Sequence, residues 1–339
     1  MSIHHGKIRG SVIGYGGAFN MGRMHANEMK RVGFDFVAAC DMDPLRMEQA
    51  QQDFPGIQTF INVEEMLAQP DIDLVVVITP HNTHARLAEQ ILRSGKHCIL
   101  EKPMCIHAED AHRLVQLAKA NGLMLTVFHN RRFDSWYLTV KDLIRQGELG
   151  DIYNIEILSG NFSAPRGWWR DSKEISGGAL YDWGAHFIDH VLGLIPGKVG
   201  SVRGYVQNRV WHEKTNEDQI NSIIQFENGA VAHIQISSID RAGRQIYRIK
   251  GTKGDVEITD LKKKALNLYR DIDGQNTLTE VDFLSAQHHR YYENIADHLL
   301  NGVELVVKPE EARRVIAIIE TTGISAEAGK ELRPAFEGE

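Results

Sequence analysis

Three stretches of the 339-residue chain hold residues whose types and spacing could carry chemistry. The first runs from Val12 to Met29, VIGYGGAFNMGRMHANEM, where Gly14 and Gly16 begin a G-x-G-x-x-G series. Phe19 then stands where the third glycine belongs, and the next glycine is Gly22. Glycines at a strand-to-helix turn let backbone N–H groups approach a pyrophosphate, and the helix N-terminus adds a favourable dipole. The same glycines could also serve only a sterically tight turn. Asp41 closes the next apolar run, nineteen residues after Gly22. A carboxylate there accepts hydrogen bonds from the adenosine ribose hydroxyls and repels a 2′-phosphate, which points to NAD over NADP. Otherwise Asp41 opens a turn or caps a helix from Pro44.

The second stretch is TPHNTHARLAEQILRSGKHCILEKPMC, from Thr79 to Cys105. Thr79 and Pro80 follow one apolar run and Glu101, Lys102 and Pro103 follow another, so both groups fall at the strand ends where open α/β sheets bind ligands. Lys102, held extended by the proline after it, could hydrogen-bond a substrate hydroxyl and help move its proton. It could equally be a solvated lysine. The third stretch is SGGALYDWGAHFIDHVLGLIP, from Ser176 to Pro196. At helical spacing Leu180, Trp183, Phe187, Val191 and Leu194 form an apolar stripe, and Asp182, His186, Asp189 and Gly193 form another. Asp182 and His186 are then neighbours four residues apart. A carboxylate beside an imidazole orients it and raises its basicity, which suits a general base; a solvated polar face is the alternative.

The elements that must position these residues follow from the pattern of the chain. Ile8 to Ile13, Phe34 to Cys40, Leu74 to Ile78, His97 to Leu100 and Met124 to Phe128 are short apolar runs without alternation, as strands buried on both faces require. Between them lie helical patterns at Met21 to Val32, Pro44 to Phe54, from Asn62, at Thr83 to Ser94 and at Ala108 to Asn121. Strand alternating with helix means a doubly wound parallel sheet. Beyond Phe128 a helix from Ser135, a strand near Ile152 to Leu158 and a helix from Gly177 to Leu194 precede a series of strands joined by turns such as Glu227-Asn228-Gly229. That second part is expected to be a mixed, mostly antiparallel sheet. Two helices, Ala286 to Asn301 and Pro309 to Gly329, close the chain.

Composition narrows the function classes. A formal net charge of -7 gives no general attraction to nucleic acid or anionic membranes, and the longest basic run is the KKK at Lys262. Leu74 to Ile78 is far too short to span a bilayer. Cys40, Cys98 and Cys105 are odd in number without metal spacing, and the opening MSIHHGKIRG has no secretory core. A cytoplasmic enzyme with no bound metal is expected.

Taken in order, these segments resemble the glucose-fructose oxidoreductase/inositol dehydrogenase/MocA family. The resemblance rests on EKP at Glu101 to Pro103, TPHNTH before it, GGALYDWGAHFIDHVLGL after it and the closing KPEEARRVIAIIETTGISAEAGKEL. It implies an NAD-dependent dehydrogenase, with NADP as an alternative, acting on a sugar or cyclitol. It further implies an α/β fold with a Rossmann domain over 1–128 and a C-terminal α+β domain over 129–339. The open, mostly antiparallel sheet of that domain serves dimer or tetramer contacts, and the closing helices can pack back on the first domain. The cofactor would be held by Gly14, Gly16, Phe19, Asn20, Met21, Asp41, Thr79, Pro80, Asn82, His84, Glu101 and Lys102. Lys102, Asp182 and His186 become the catalytic residues, with His186 as general base. His129, Trp169 and Arg170, from VFHNRRFD and RGWWRD, join Asp182 and His186 around the substrate.

Two departures from the family pattern bear on this expectation. Ala179 replaces a glycine often found before the catalytic helix, and the phosphate turn is longer by three residues, read as Ala18, Phe19 and Asn20. Backbone N–H groups around Phe19 to Met21 are expected to meet the pyrophosphate while Gly22 lets the helix pack. Two other functions fit the same residues: a redox-based glycoside-cleaving enzyme with tightly bound NAD, and a non-catalytic nucleotide-binding regulator.

Overall fold

The structure, a computed structural model, describes residues 7–17, 19–165, 167–243 and 245–338. The chain divides into two compact units. One contains the chain up to Cys105, Glu109–Phe128 and His289–Arg313; the other contains Ile106–Ala108, His129–His288 and the chain from Arg314 onward.

In the first unit β1 (Arg9–Ile13), β2 (Asp35–Cys40), β3 (Gln58–Phe60), β4 (Leu74–Val77), β5 (His97–Leu100) and β6 (Leu125–Val127) form one sheet. The strands are parallel and ordered β3-β2-β1-β4-β5-β6, the order of the doubly wound dinucleotide-binding sheet. Helices α1 (Met21–Arg31), α2 (Pro44–Asp53), α3 (Val63–Leu67), α4 (His84–Arg93) and α5 (Ala108–Ala120) alternate with the strands. Burial explains the unbroken apolar runs. Leu74, Val75, Val76 and Val77 are all fully covered, and each such side chain contributes about 1.5–3 kcal/mol by leaving water. Side chains close the helix starts: Asn62 Oδ1 accepts from Glu64 N at 2.7 Å and Asp43 Oδ1 from Leu45 N at 3.0 Å. Strand β3 is absent from the sequence reading because three half-exposed residues at a sheet edge leave no apolar run.

Parallel register sets what lies at the carboxyl edge. Ile13 pairs with Cys40 and Val77, and Val77 with Leu100, so Gly14, Asp41, Ile78 and Glu101 emerge side by side. β2 and β4 lie on opposite sides of β1, where the winding of such sheets reverses and ligands bind.

The second unit is built on a sheet of β7 (Ile152–Gly160), β8 (Val199–Gln207), β9 (Gln219–Phe226), β10 (Val231–Ser237), β11 (Gln245–Gly251), β12 (Gly254–Ile258), β13 (Ala265–Ile272) and β14 (Gln275–Asp282). The order is β14-β13-β12-β11-β7-β10-β9-β8; β7 and β10 are parallel and the other neighbours antiparallel, as the sequence implied. One face is a core of Ile155, Ile157, Ile224, Ile234 and Ile249. The other carries Glu156, Asn221, His233 and Arg248, with His233 Nε2 3.0 Å from Asn221 Oδ1.

The remaining helices are α6 (Ser135–Arg145), α7 (Lys173–Ser176), α8 (Trp183–Leu194), α9 (Arg290–Asn301) and α10 (Pro309–Ala328). Helix α10 lies so close to β8 that a Cβ on Gly204 would meet the Thr322 carbonyl oxygen at 1.8 Å. The helix expected from Gly177 begins instead at Trp183. Gly177 and Gly178 sit at φ 86 and 130, outside helical space, and a 3₁₀ turn at Ala179–Tyr181 follows them. Trp183, expected in the apolar stripe, is 43% exposed, whereas Gly184 through Val191 are all buried.

Candidate active site

The phosphate turn leaves β1 at Gly14, whose φ of 100 favours glycine and where a Cβ would lie 2.4 Å from the Ile78 carbonyl oxygen. Asn20 closes the turn. At φ 40 and ψ 56, Asn20 caps α1, its Oδ1 accepting from Arg23 N at 3.2 Å and Gly16 N at 3.1 Å. Among the expected extra residues, Phe19 is exposed and Ala18 lies outside the described residues. Met21 and Gly22 open the helix with N–H groups that an α-helix does not use internally. Gly22 takes the close-packing place of a third glycine: a Cβ there would sit 2.7 Å from Gly14 O and 2.9 Å from Tyr15 Cδ2. Tyr15 is itself anchored, donating its hydroxyl to Asp53 Oδ2 at 2.7 Å.

Asp41 is not the helix cap, since Asp43 fills that place. Its Oδ2 accepts from Tyr15 N at 2.9 Å and Arg46 Nη1 at 3.2 Å, and its Oδ1 from Asp43 N at 3.1 Å. The carboxylate is thus fixed against the glycine turn, and Oδ1 keeps room for a further donor. Glycines a Cβ would block, orphan helix N–H groups and a fixed acidic side chain fit a dinucleotide.

At the ends of β4 and β5 the expected cofactor residues separate into two groups. Thr79, Pro80 and Lys102 are partly exposed and Asn82 is exposed. His84 and Glu101 turn inward. His84 is fully buried, with Nδ1 2.8 Å from Pro103 O and Nε2 2.9 Å from Thr79 O, so it braces the two strand ends; burial lowers its pKa. Glu101 receives Lys102 N on Oε2 at 3.1 Å and faces His25 Nε2 from Oε1 at 3.1 Å. Burial pushes its pKa up, but the hydrogen bond and charge of His25, the Lys102 ammonium and the Lys102 N–H together outweigh that and hold the carboxyl below its usual range. A carboxylate only accepts, so His25 Nε2 carries a proton. Burial also keeps the Tyr292 phenol protonated, and its hydroxyl lies 2.7 Å from His25 Nδ1. Tyr292, on α9, therefore supports the Lys102 backbone through two intermediates. No local pattern around Tyr292 announces this.

In the second unit His186 lies in the first turn of α8, 5% exposed, with its ring centroid 6.1 Å from that of His129. His129 is likewise buried. Asp182 sits at the helix N-cap position, not within the helix, and receives Arg170 Nε on Oδ2 at 3.4 Å. Arg170 in turn stacks over Trp169 at 3.9 Å. Arg166 of RGWWRD lies outside the described residues. Below His186, Asp189 accepts from Arg132 Nε at 2.8 Å; burial pushes its pKa up, but the Arg132 guanidinium together with His129 and His190 outweighs this and holds the carboxyl at about 2. His190, next to it, has its pKa pushed down to about 4 by burial. This buried pair was within the sequence signal, as Asp189 shares a stripe with His186, but the partner in VFHNRRFD could not be assigned from spacing.

A sheet wound in this order with a glycine turn at the end of β1 defines a dinucleotide-binding protein, and its second unit presents a buried imidazole on the helix whose N-cap position Asp182 occupies. Residues 8–129 match the model of the oxidoreductase family's NAD-binding Rossmann fold, and residues 141–333 match that of the family's C-terminal alpha/beta domain. The chain belongs to this glucose-fructose oxidoreductase/inositol dehydrogenase/MocA family and is an NAD(P)-dependent oxidoreductase. It is 30% identical over 313 residues, 85% of each chain, to scyllo-inositol 2-dehydrogenase (NADP(+)) IolW of Bacillus subtilis. It is 26% identical over 316 residues, 90% of each chain, to the scyllo-inositol 2-dehydrogenase (NAD(+)) of the same organism. Among solved structures, an NAD-binding protein from Listeria innocua aligns with a TM-score of 0.84 at 26% identity, covering 97% of each chain. No helix among the described residues is long and apolar enough to cross a membrane.

Proposed function

We propose that the protein oxidises a ring hydroxyl of a sugar or cyclitol, or reduces the matching ketone, with His186 as the general base. The observation that carries this reading is His186 itself: a buried imidazole beside His129, one helical turn from an Asp182 held by Arg170. The scyllo-inositol dehydrogenases among its relatives support a polyhydroxylated ring as substrate.

Gly14, Gly16, Asn20, Met21 and Asp41 would hold the dinucleotide, with Thr79, Pro80 and Asn82 along the neighbouring strand ends. When bound, nicotinamide supplies the hydride acceptor. His186 takes the hydroxyl proton as the C–H bond breaks, and Asp182 and His129 orient the substrate around it. The Lys102 ammonium stabilises the oxyanion that develops on the same oxygen. Glu101 fixes the Lys102 backbone, so the lysine reaches substrate from a braced turn. Asp41 favours NAD, since a 2′-phosphate would add negative charge beside a carboxylate. Trp169 and Arg170 offer an aromatic face and guanidinium donors to the ring. Copies of the chain associate through the polar face of the second sheet as a dimer or tetramer.

The test is a panel of sugars, cyclitols and glycosides offered with NAD and with NADP, followed by nicotinamide absorbance and product analysis. Oxidation of at least one sugar or cyclitol supports the reading. Turnover confined to non-carbohydrate alcohols would refute it.

A further inference from the structure

The loops at one end of the second sheet carry aromatic and guanidinium groups that the proposed proton transfer does not use. Just beyond β7, Phe162 forms an isolated bridge with Ile239 and is 36% exposed. The Arg241 guanidinium lies 3.8 Å over its ring, and the Trp211 ring centroid is 5.5 Å away. Arg241 makes no ion pair among the described residues, so its fork of donors is not committed to a carboxylate.

The loop bearing Trp211 is held firmly. Asp218, 1% exposed, accepts on Oδ2 from Arg209 N at 2.7 Å, Val210 N at 2.6 Å and Trp211 N at 3.3 Å. Trp211 Nε1 donates to Ser238 O at 3.3 Å. The same loop is bolted to the segment that precedes α8. Asn216 Nδ2 donates to Arg170 O at 2.6 Å, and Lys214 Nζ pairs with Asp171 at 2.8 Å. Arg170 reaches Asp182, immediately before the helix of His186. In that segment Trp168 is 66% exposed at φ 71, a conformation a bulky side chain avoids. Backbone strain of this kind concentrates where a ligand is held.

We propose that Phe162, Trp211 and Arg241 form an outer subsite for a second sugar ring. The substrate is then a disaccharide or glycoside whose oxidised ring is served by His186. This rests on the carbohydrate reading given above. A pyranose presents an apolar C–H face and a rim of hydroxyls, which match an aromatic shelf flanked by a guanidinium fork. A platform already fixed by Asp218 loses little freedom on binding, so its contacts appear as affinity.

The experiment measures binding by calorimetry, without turnover, for maltose, cellobiose, lactose and galactinol against glucose, galactose and myo-inositol. Wild type, Trp211→Ala, Phe162→Ala and Arg241→Gln are compared, with thermal melting to certify folding. At least one two-ring probe is expected to bind roughly tenfold more tightly than its single-ring counterpart. That advantage should vanish in Trp211→Ala and shrink in Arg241→Gln, while single-ring binding stays unchanged. If single rings bind and two-ring probes gain nothing, or the gain survives in every folded variant, the outer subsite is refuted alone. If neither set binds, the carbohydrate reading falls and the subsite falls with it.

Discussion

Replacing Gly22 by alanine sets two opposing effects against each other. In an exposed helix interior the change stabilises by about 1 kcal/mol, because alanine is the better helix former. At this position the new methyl would lie 2.7 Å from Gly14 O, 2.9 Å from Tyr15 Cδ2 and 3.2 Å from Tyr15 Cα. Neither neighbour yields easily: Gly14 is pressed against Ile78 O, and Tyr15 is buried and bonded to Asp53. Either α1 or the glycine turn must move, and overpacking of that kind costs about 1–3 kcal/mol. The clash wins. Gly22→Ala should lose about 1–2 kcal/mol net, lowering the melting temperature by about 2–8 °C for a unit of this size. NADH affinity should fall roughly tenfold or more, since the displaced turn carries the N–H groups proposed to meet the pyrophosphate. Gly17→Ala is the control. At φ 76 with nothing within 4 Å it should cost only the left-handed backbone penalty, about 1–2 kcal/mol, without moving α1. Thermal unfolding by circular dichroism and fluorescence titration with NADH read both quantities. A Gly22→Ala protein that melts at or above wild type and binds NADH equally well would refute the packing role assigned to Gly22.

Other outcomes follow from the same geometry. Burial pushes the pKa of His97 and of His190 down from 6.5 to about 4 and lowers that of His84. The unfolded chain therefore binds these protons first, and the stabilisation that His97 and His190 give above pH 6.5 is lost as pH falls toward 4, at about 1.4 kcal/mol per pH unit for each of the two. Urea midpoints across that range should drop accordingly and flatten in His97→Gln, and a pH-independent midpoint would contradict it. Asp41→Asn keeps the contact with Tyr15 N but removes the charge, so NADP binding measured by calorimetry should improve roughly tenfold relative to NAD. Equal preference in wild type and variant would remove Asp41 from coenzyme choice. Tyr292→Phe strands His25 Nδ1 in a buried site and should cost about 1–3 kcal/mol, with faster amide exchange at Lys102; unchanged exchange would break the proposed support chain.

What could be read from residues alone was whatever short-range periodicity encodes. The central parallel strands showed themselves because their apolar residues run together without alternation, most fully in Leu74–Val77. The three constellations were legible because strand ends and glycines fall at fixed places in such a sheet. Legibility stopped where partners are distant in sequence or the backbone leaves regular form. Glycines at 177 and 178 stopped a helix whose apolar spacing seemed to continue, moving Asp182 from helix interior to N-cap. Histidines looked alike in sequence, yet the carbonyls of Pro103 and Thr79 face both ring nitrogens of His84 and make it a brace. Tyr292 and Arg132 act through contacts 267 and 57 residues away, which no local pattern contains. Asn20 could be counted as an extra residue, but its role in stitching Gly16 to Arg23 needed its left-handed geometry.

The central claim is that His186 takes the substrate proton as hydride leaves for nicotinamide, with Lys102 stabilising the oxyanion. It is tested most directly by single-turnover reduction of NAD with a sugar or cyclitol that the wild-type protein oxidises, compared among wild type, His186→Ala and Lys102→Ala at matched folding and NAD occupancy. The account predicts that each variant loses roughly 10²–10⁴-fold in the rate of nicotinamide reduction. Near wild-type rates in both variants would contradict it.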